Sequence, residues 1–463
     1  MNRSAEKSIA VVGGGLAGLA AGCALSDAGF RVTLFERRPY LGGRASSYQH
    51  PATGEVIDNC QHVLLGCCTN LIDFYQRTGV VHKIRWFDRL TFLEPGGRAS
   101  VIGPSPLPAP LHTSPSFLKV ACLSWRDKLA IARAMLAMLH MPQDKGESFL
   151  VWLRARKQTE RSIERFWKTV LVSALNEDLD RMSVSYAAQV FRESFLKSAA
   201  AGRMGVPSIP LTELYNAAGD YIRARQGSVE LRASIDSFHP EQDGVGLCAD
   251  GRKISFDYAV LAVPFDGLEP LLPAAPESDA LRTALAQFVP SPITGIHLWF
   301  DRQISDLDHA VLLDRTIQWM FHKSRLQSRG QGEGSYIELV VSSSKSLVEK
   351  SRGEIVDLAV RELCEFLPGA RTAKLVKSTV IKEVHATYSP LPGVDSYRPP
   401  NATAWPRVVL AGDWTATGWP ATMEGAVRSG YLAAQALARA AGVLNATYLR
   451  SDLPATGLMR LFN

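Results

Sequence analysis

Cysteine is sparse and scattered in this chain. The 463 residues include seven Cys, which are scattered apart from Cys67 and Cys68, with no CxxC pair and no Cys/His set at zinc spacing. An odd number of dispersed thiols is typical of reduced cytoplasmic proteins. The sequence therefore predicts neither disulfides nor a structural metal site.

Charge of one sign is also scarce. Lys and Arg number 51 against 45 Asp and Glu, a formal net charge of +6, and no five like charges stand together. Nucleic-acid-binding proteins normally carry a concentrated basic patch, so that class is disfavoured. The mild basic excess suits an anionic cofactor or an anionic lipid surface.

Long hydrophobic runs are missing too. No stretch of 18 or more apolar residues is present to span a bilayer. The start, MNRSAEKSIAVVGGG, passes from a short polar leader into an apolar run and a glycine turn, without the small-residue cleavage region of a signal peptide. We therefore expect a protein that stays inside the cell.

The chain nevertheless has ample apolar material for a core. Apolar residues make up 46% of the sequence and charged residues 21%, a composition that excludes intrinsic disorder. At this length two domains are expected, without disulfides or metal as staples.

Residues 8–36, SIAVVGGGLAGLAAGCALSDAGFRVTLFE, have the pattern of a β-α-β unit with GxGxxG spacing. In such units the glycines allow a tight turn, a close approach of backbone to a pyrophosphate, and close packing of helix on strand. The helix N-terminus favours an anion, and the terminal acid accepts hydrogen bonds from ribose hydroxyls. The residues predicted to bind a dinucleotide here are Gly13, Gly15, Leu16, Ala17, Gly18 and Glu36.

A glycine pair between basic residues, RRPYLGGR at 37–44, follows this unit. Here the sequence resembles the superfamily of FAD-dependent amine oxidases and phytoene desaturases, in which a GGR segment contacts the cofactor. The resemblance implies FAD rather than NAD as the cofactor, with contacts from Arg37, Gly42, Gly43 and Arg44.

A segment near the far end resembles the same superfamily. Residues 407–431, RVVLAGDWTATGWPATMEGAVRSGY, combine a strand, a Gly-Asp turn and a helix of small residues. Gly425 and Gly430 are expected to let a flat ligand approach that helix, and its N-terminus would stabilise reduced flavin. The resemblance implies cofactor contacts from Gly412, Asp413, Thr422 and Met423, with a turn or cap role as the alternative for Asp413.

Two middle segments complete the expected fold. GSVEL at 227–231 resembles the strand whose Val229 backbone meets adenine, and DYAVLAVP at 257–264 resembles the strand leading into the substrate domain. The resemblance implies an α/β fold: a Rossmann-like FAD-binding domain of the glutathione-reductase type, with an inserted mixed α+β substrate domain, as in amine oxidases. The predicted FAD-binding parts are 1–84, 226–264 and 386–463, and the predicted substrate-domain parts are 85–225 and 265–385.

The block after the GGR turn is more selective. DNCQHVLLG at 58–66 closely resembles the DNGQHVLLG block of the squalene-associated flavoproteins, the hydroxysqualene dehydroxylases of bacterial squalene and hopanoid synthesis. The run AGDWTATGWPATMEGAVRSG at 411–430 agrees with this family, and the resemblance covers nearly the whole chain. Among the departures from the family pattern, Ala416 removes a polar group near the flavin and Trp419 is expected to narrow the pocket. The other two departures are Cys60 and Cys68.

That resemblance implies reductive dehydroxylation, in which hydroxysqualene loses its hydroxyl as water and receives a hydride from N5 of reduced FAD. Hydroxide is a poor leaving group, so a donor must protonate it, and an allylic cation needs a dry cavity. His62 is the candidate acid, Asp58 would orient it, and Gln61 would hold the hydroxyl. A hydrogen bond to flavin or backbone is the alternative for each. An external electron donor is implied, because no second dinucleotide motif is present.

Two other functions stay open at this point: an oxidative carotenoid or phytoene desaturase, and a non-catalytic prenyl-lipid escort. An insoluble isoprenoid is expected to enter from lipid. Residues 117–141, FLKVACLSWRDKLAIARAMLAMLHM, have the pattern of an interfacial amphipathic helix, with packing on the substrate domain as the alternative. This predicts a cytoplasmic protein in peripheral contact with the membrane.

Overall fold

The computed structural model describes residues 7–50, 54–142, 144–327 and 334–462. The first ten strands are β1 (Ser8–Val12), β2 (Arg31–Glu36), β3 (Ser47–Gln49), β4 (Val56–Asp58), β5 (Leu64–Leu65), β6 (Ile84–Phe87), β7 (Leu90–Leu93), β8 (Ala99–Ile102), β9 (Met204–Pro207) and β10 (Ser228–Leu231). The next ten are β11 (Ser237–Pro240), β12 (Val245–Ala249), β13 (Arg252–Phe256), β14 (Tyr258–Leu261), β15 (Pro290–Phe300), β16 (His309–Leu312), β17 (Trp319–His322), β18 (Ser335–Ser342), β19 (Leu375–Tyr388) and β20 (Val408–Leu410).

The α-helices lie between these strands in every part of the described chain. They are α1 (Leu16–Asp27), α2 (Thr69–Arg77), α3 (Ser114–Lys119), α4 (Trp125–Ala137), α5 (Phe149–Ala155), α6 (Glu160–Ser162), α7 (Thr169–Leu175), α8 (Val184–Phe191), α9 (Leu211–Arg223), α10 (Phe265–Leu268), α11 (Asp279–Leu285), α12 (Lys323–Leu326), α13 (Arg352–Phe366) and α14 (Met423–Ala440).

A five-stranded parallel sheet forms the core of one half of the molecule. Its strand order is β10-β2-β1-β14-β20, so strands from both ends of the chain lie in one sheet. The residues of β1 from Ile9 to Val12 are buried, because helices cover the sheet and a parallel sheet covered in this way is built from continuous apolar runs. This architecture confirms the predicted α/β fold class.

Helices α1, α9 and α14 pack together on this sheet. A Cβ on Gly430 would lie 2.2 Å from the carbonyl oxygen of Ala17, so this glycine lets α14 cross α1, and the expectation that it faces a ligand is wrong. Gly425 likewise faces backbone, since its Cβ would lie 2.4 Å from the oxygen of Pro420. Helix α9 falls inside the predicted range 85–225, but it shares the apolar core of α1 and therefore belongs with the cofactor-binding half. The other predicted boundaries stay predictions.

A seven-stranded mixed sheet forms the other half, with the strand order β19-β15-β18-β17-β16-β7-β8. Helix α13 covers one face, where Ile337, Leu339 and Val341 of β18 join its apolar core. Because side chains alternate along a strand, Glu338 of β18 points to the opposite face. That second face lies towards the 58–62 turn described below.

Residues 117–141 do not form the single helix that their pattern predicts. Helix α3 ends at Lys119, and α4 begins at Trp125 after a break. Ser124 and Asp127 form a capping box, in which each side chain accepts a hydrogen bond from the backbone N–H of the other. The cap satisfies the first amides of α4, so the helix begins there.

Helix α4 has one buried and one exposed face. Ile131 and Ala134 are buried, whereas the side chains of Trp125 and Leu136 are 71% and 64% exposed. Within the described parts of the chain, no helix is both long and apolar enough to cross a membrane.

Candidate cofactor and substrate site

Three glycines shape the loop between β1 and α1. Gly13 has φ +111°, and a Cβ there would lie 2.5 Å from the oxygen of Ala262. A Cβ on Gly18 would lie 1.9 Å from the oxygen of Gly13, so α1 packs directly against the loop. Gly15 differs, because its Cβ would meet only the Cα of Gly43, at 3.8 Å. The backbone at the start of α1 is therefore accessible to a ligand.

The start of α1 favours an anion. Gly15 precedes the helix, and no side chain in the described residues caps its first amides. The buried carboxylate of Glu36 lies beside the same loop, where it accepts hydrogen bonds from the amides of Gly14 and Arg38 at 2.7 and 2.8 Å. Open amides next to an acid at the end of β2 fit the pyrophosphate and the ribose of a dinucleotide.

Gly42 and Gly43 lie against this loop. The amide of Gly42 donates to the oxygen of Gly14 at 2.9 Å, and a Cβ on Gly43 would lie 2.9 Å from the Cα of Gly15. Both have positive φ, +108° and +62°, which glycine adopts without strain. The GGR segment therefore lies against the dinucleotide loop in space, as its place in the sequence predicts.

Arg44 joins the two predicted cofactor segments. Its Nη2 donates to Oδ1 of Asp413 at 2.6 Å, and its Nη1 donates to the oxygen of Ala386 at 3.1 Å. Burial alone would lower the pKa of Arg44, but the Asp413 carboxylate outweighs it and raises that pKa. The N-terminal loop and the Gly-Asp turn thus lie side by side.

The rest of the C-terminal segment is ordered around the start of α14. Gly412 donates its N–H to Oγ of Ser429 at 2.8 Å. Thr422 caps α14, since its Oγ1 accepts a hydrogen bond from an amide of the first turn at 3.1 Å. The sulfur of Met423 accepts from the hydroxyl of Tyr215 at 3.5 Å.

The remaining predicted cofactor residues lie at the edges of the same sheet. Val229 lies in β10, beside Leu34 of β2. Leu16 and Ala17 are buried in the first turn of α1, and Arg37 is exposed directly after β2. Their contacts with FAD, like those of the other predicted cofactor residues, stay predictions.

The 58–62 turn lies between the cofactor segments and the seven-stranded sheet. The Nδ2 of Asn59 donates to the oxygen of Arg44 at 2.8 Å and to Oε1 of Glu383 at 3.1 Å. A Cβ on Gly295 in β15 would lie 2.8 Å from the oxygen of Asn59. The turn therefore contacts both halves of the molecule.

Asp58 is buried in this turn, and its hydrogen-bond partners differ from the one predicted for it. Its pKa is below the usual range, because the ammonium of Lys323 and several hydrogen bonds outweigh the effect of burial. Its carboxylate accepts hydrogen bonds from Ser47 Oγ at 2.7 Å, Leu211 N at 3.0 Å, Lys323 Nζ at 2.7 Å and Gln327 Nε2 at 3.2 Å. None of these donors is His62, so the expectation that Asp58 orients His62 is wrong.

His62 instead contacts the backbone. Its Nδ1 lies 2.8 Å from the oxygen of Cys60, and burial lowers the pKa of the ring below its usual value. A neutral ring places its proton on Nδ1, because that atom faces a carbonyl, and Nε2 is then an acceptor. The acid role predicted for His62 requires a protonated ring, which burial disfavours.

Sequence reasoning missed two ionisable residues at this turn. Nζ of Lys323 lies 3.2 Å from Oε2 of Glu338 and also contacts Asp58 and Gln61, and all four residues are buried. Burial raises the pKa of Glu338 to about 7, although Lys323 opposes that change. The available signals were a lysine directly after the apolar β17 and a lone acid inside the apolar β18.

An apolar cluster lies beside the turn. The rings of Trp319 and Phe321 stack with centroids 5.5 Å apart, and Trp319 Nε1 donates to Oγ of Ser173 at 2.8 Å. Val63, Leu65, Phe87, Leu90 and Ile293 pack against its edge. The buried members are Cys60, Met204, Val206, Phe321, Leu326 and Val340.

Comparison with known proteins covers almost the whole chain. The family model described as flavin containing amine oxidoreductase matches residues 16–438. The 15-cis-phytoene desaturase of Synechococcus elongatus is 27% identical over 454 residues, which cover 93% of this chain and 95% of that protein. A probable zeta-carotene desaturase of the same organism is 27% identical over 481 residues, covering 94% and 99%.

Solved structures share the fold at lower identity. An oxidoreductase from Methanosarcina mazei superposes with a TM-score of 0.71 at 18% identity, covering 91% of this chain and 98% of that one. A putrescine oxidase bound to putrescine superposes with a TM-score of 0.70 at 17% identity, covering 95% and 99%. These likenesses support the two-part architecture of cofactor and substrate halves.

Proposed function

This chain belongs to the flavin containing amine oxidoreductase family and uses FAD, and we propose that it exchanges a hydride with a long isoprenoid chain. The observation that carries this proposal is the similarity along nearly the whole chain to desaturases of phytoene and zeta-carotene. The apolar cluster around Trp319 and Phe321 suits such a substrate, since it offers aromatic and aliphatic walls beside the 58–62 turn.

The residues that would hold FAD are those of the glycine loop, the GGR segment and the start of α14. The open amides at the start of α1 would bind the pyrophosphate and Glu36 the ribose. Arg44 and Asp413 would hold the GGR segment and the Gly-Asp turn next to each other, because their ion pair joins the two segments directly. Bound FAD would supply the hydride chemistry, and the protein would supply orientation and a water-poor site.

Two reactions of opposite direction fit this proposal. Oxidative desaturation is the better supported by the relatives, because two of them carry that activity in their names. Reductive dehydroxylation of hydroxysqualene is the second candidate, and the DNCQHVLLG block favours it. The Gln61 amide at that block also favours an oxygen-bearing substrate, because one of its two N–H groups donates to His62 and the other has no acceptor among the described residues.

We also propose that the substrate enters from a lipid surface. Trp125, Leu129 and Leu136 project from α4 with more than half of each side chain exposed, and Arg126 and Arg133 are exposed on the same helix. Exposed apolar groups flanked by cations are typical of an interfacial contact with anionic lipid. An external electron carrier would reduce or reoxidise the flavin.

One experiment compares the two reactions and the escort alternative. Purified protein should show a flavin spectrum; a colourless preparation that cannot be reconstituted with FAD would favour the escort. Photoreduced protein is then mixed anaerobically with hydroxysqualene, and oxidised protein with phytoene and a quinone. Squalene with flavin reoxidation supports dehydroxylation, a desaturated product supports desaturation, and the absence of both products refutes the proposal.

A further inference from the structure

Lys323 is the centre of a buried polar cluster that consists of Lys323, Asp58, Gln61 and Glu338, here called the lysine cluster. An ammonium group donates three hydrogen bonds and accepts none. Its three neighbours are Asp58 Oδ2 at 2.7 Å, Gln61 Oε1 at 2.8 Å and Glu338 Oε2 at 3.2 Å. The side chains of Lys323, Asp58 and Glu338 are at most 2% exposed, so water does not compete for these contacts.

The lysine fixes which end of the Gln61 amide faces it. Because an ammonium cannot accept a hydrogen bond, the amide oxygen of Gln61 must point to Lys323 and the NH2 group must point away. One N–H of that group donates to the oxygen of His62 at 2.9 Å. Among the described residues the second N–H has no further acceptor, so Gln61 offers a donor on its far side.

The charge of the lysine cluster depends on Glu338. Asp58 accepts hydrogen bonds from Ser47, Leu211, Lys323 and Gln327, whereas no well-aligned hydrogen bond reaches Glu338 within the described chain. Glu338 is therefore the carboxyl that takes up a proton when the pH falls.

The other groups that face the lysine cluster are uncharged near pH 7. Burial lowers the pKa of His62 and brings that of His297 in β15 to about 3. It raises the pKa of Cys60 and of Tyr336 in β18. The Glu383 carboxylate of β19 accepts from Nδ2 of Asn59 in the same turn and forms no hydrogen bond or ion pair with Lys323 among the described residues. The local charge is thus set by Lys323, Asp58 and Glu338.

From this geometry we infer that Lys323 is a positioning residue, which holds the Gln61 amide so that an N–H faces an oxygen atom on the substrate, an isoprenoid alcohol. This inference rests on the proposed function in its dehydroxylation form. There, alcohol and reduced flavin give hydrocarbon, water and oxidised flavin. The hydride goes to carbon, and the C–O electron pair leaves with oxygen, which takes the proton that the reduced flavin gives up together with the hydride. The Gln61 N–H would hold that oxygen while the bond breaks.

The test measures binding rather than turnover. Quenching of tryptophan fluorescence in the oxidised holoenzyme gives the Kd for hydroxysqualene and for squalene in the same detergent. We expect the wild type to bind the alcohol about tenfold more tightly, the value of one good hydrogen bond. In Lys323→Met the Gln61 amide is free to turn, and we expect the two Kd values to become equal.

A second variant guards against misfolding. Lys323→Met with Glu338→Gln removes the cation together with one carboxyl, which leaves Asp58 with its donors from Ser47, Leu211 and Gln327. Glu362→Gln is the matched control, because Glu362 is a buried carboxylate on α13 that accepts from the amides of Thr316 and Ile317, away from the site. The control should keep the tenfold preference.

The pH profile gives an independent measurement. Ionised Glu338 attracts the ammonium towards its own Oε2, 3.2 Å away, and so draws it from Gln61; the preference for the alcohol should therefore weaken as the pH rises through about 7. Glu338→Gln should remove this dependence while it keeps the preference, because Lys323 and Gln61 are unchanged.

Three results would overturn the inference. The first is a folded Lys323→Met or double variant that keeps the preference. The second is a wild type that turns over isoprenoids but binds alcohol and hydrocarbon equally. The third is a variant whose only change is weaker FAD binding, which would assign the Gln61 N–H to the flavin. If the wild type turned over none of these substrates, the proposed function would be refuted. The Kd values for alcohol and hydrocarbon would still decide whether Lys323 orients the Gln61 amide.

Discussion

The cofactor side and the proposed substrate side of the site are built from different parts of the chain. On the cofactor side the loop of Gly13, Gly15 and Gly18 offers backbone, and two of these positions have no room for a Cβ. On the substrate side, Lys323, Asp58 and Glu338 offer buried charges from three separate segments. The glycine loop depends on close approach between backbone segments, and the group of Lys323, Asp58 and Glu338 depends on charge balance. Substitutions should therefore affect the two regions in different ways.

The largest effect on stability is expected from Lys323→Met, which leaves the carboxylates of Asp58 and Glu338 without their cation. Breaking a buried ion pair typically costs about 3–5 kcal/mol in the free energy of unfolding. The double variant with Glu338→Gln should lose clearly less of the free energy of unfolding, because one of the two carboxyls has then been replaced by a neutral amide. Urea unfolding of all four proteins of this cycle measures the coupling, and equal losses in single and double variants would contradict it.

The pH dependence of the wild type should be the next largest effect. The folded protein raises the pKa of Glu338 from its ordinary value of 4.5 to about 7, so between these values it holds a proton that the unfolded chain releases. This contribution to stability is present below pH 4.5 and is lost as the pH rises towards 7, by roughly 3.5 kcal/mol at about 1.4 kcal/mol per pH unit. Glu338→Gln should lack this slope in a series of urea titrations; an identical slope would refute it.

Gly18→Ala tests the backbone side. Its Cβ would lie 1.9 Å from the oxygen of Gly13, so α1 must move away from the loop, at a cost of about 1–3 kcal/mol and with loss of bound FAD. The measurement is flavin absorbance per mole of purified protein. Gly353→Ala is the control, because its Cβ meets nothing within 4 Å in α13 and Ala favours a helix; equal flavin content in both variants would show that the loop tolerates a Cβ.

Asp413→Asn should have a moderate effect, since it removes the charge that Arg44 contacts but keeps the shape of the side chain. A charged hydrogen bond of this kind is worth about 1.5 kcal/mol, so the Kd for FAD should rise by about tenfold. Reconstitution of apoprotein followed by flavin fluorescence measures it. Asp308→Asn, which affects exposed ion pairs on the other sheet, should leave FAD binding unchanged.

The smallest effect on stability is expected at the surface of α4. Trp125→Ser with Leu136→Ser should change the free energy of unfolding by less than about 0.5 kcal/mol, because both side chains are exposed. Co-sedimentation with phosphatidylglycerol vesicles should nevertheless fall. Leu444→Ser, at another leucine that is 77% exposed, is the control; equal binding by both variants would argue against α4 as the lipid contact.

The two sides also differ in what the sequence reveals. The cofactor loop is contiguous, so the spacing of its glycines and the acid at Glu36 predict both strands and the helix between them. The meeting of Arg44 with Asp413 follows from two such motifs of one superfamily. These parts are predictable because glycines such as Gly13 and Gly18 meet a local requirement of the backbone, either a positive φ or a close contact that leaves no room for a Cβ.

The lysine cluster is not predictable in the same way. Lys323 and Asp58 are far apart in the sequence. Lys323 follows β17 of the seven-stranded sheet and Asp58 ends β4 of a separate two-stranded sheet, so only the packing of these two parts brings them together. The break between α3 and α4 was readable in principle, since Ser124 and Asp127 stand at the spacing of a capping box. The apolar periodicity of 117–141 conceals it.

The order of strands in the parallel sheet has a consequence for biosynthesis. Strand β2 ends at Glu36, but its sheet is completed by β20 from Val408, and α14 covers α1 later still. At typical elongation rates the first nucleotide-binding segment leaves the ribosome roughly 20 to 70 seconds before its partners. Stable FAD capture must therefore wait until β20 and α14 have been synthesised, and any nascent chain released earlier would present an unfinished sheet edge to chaperones and proteases.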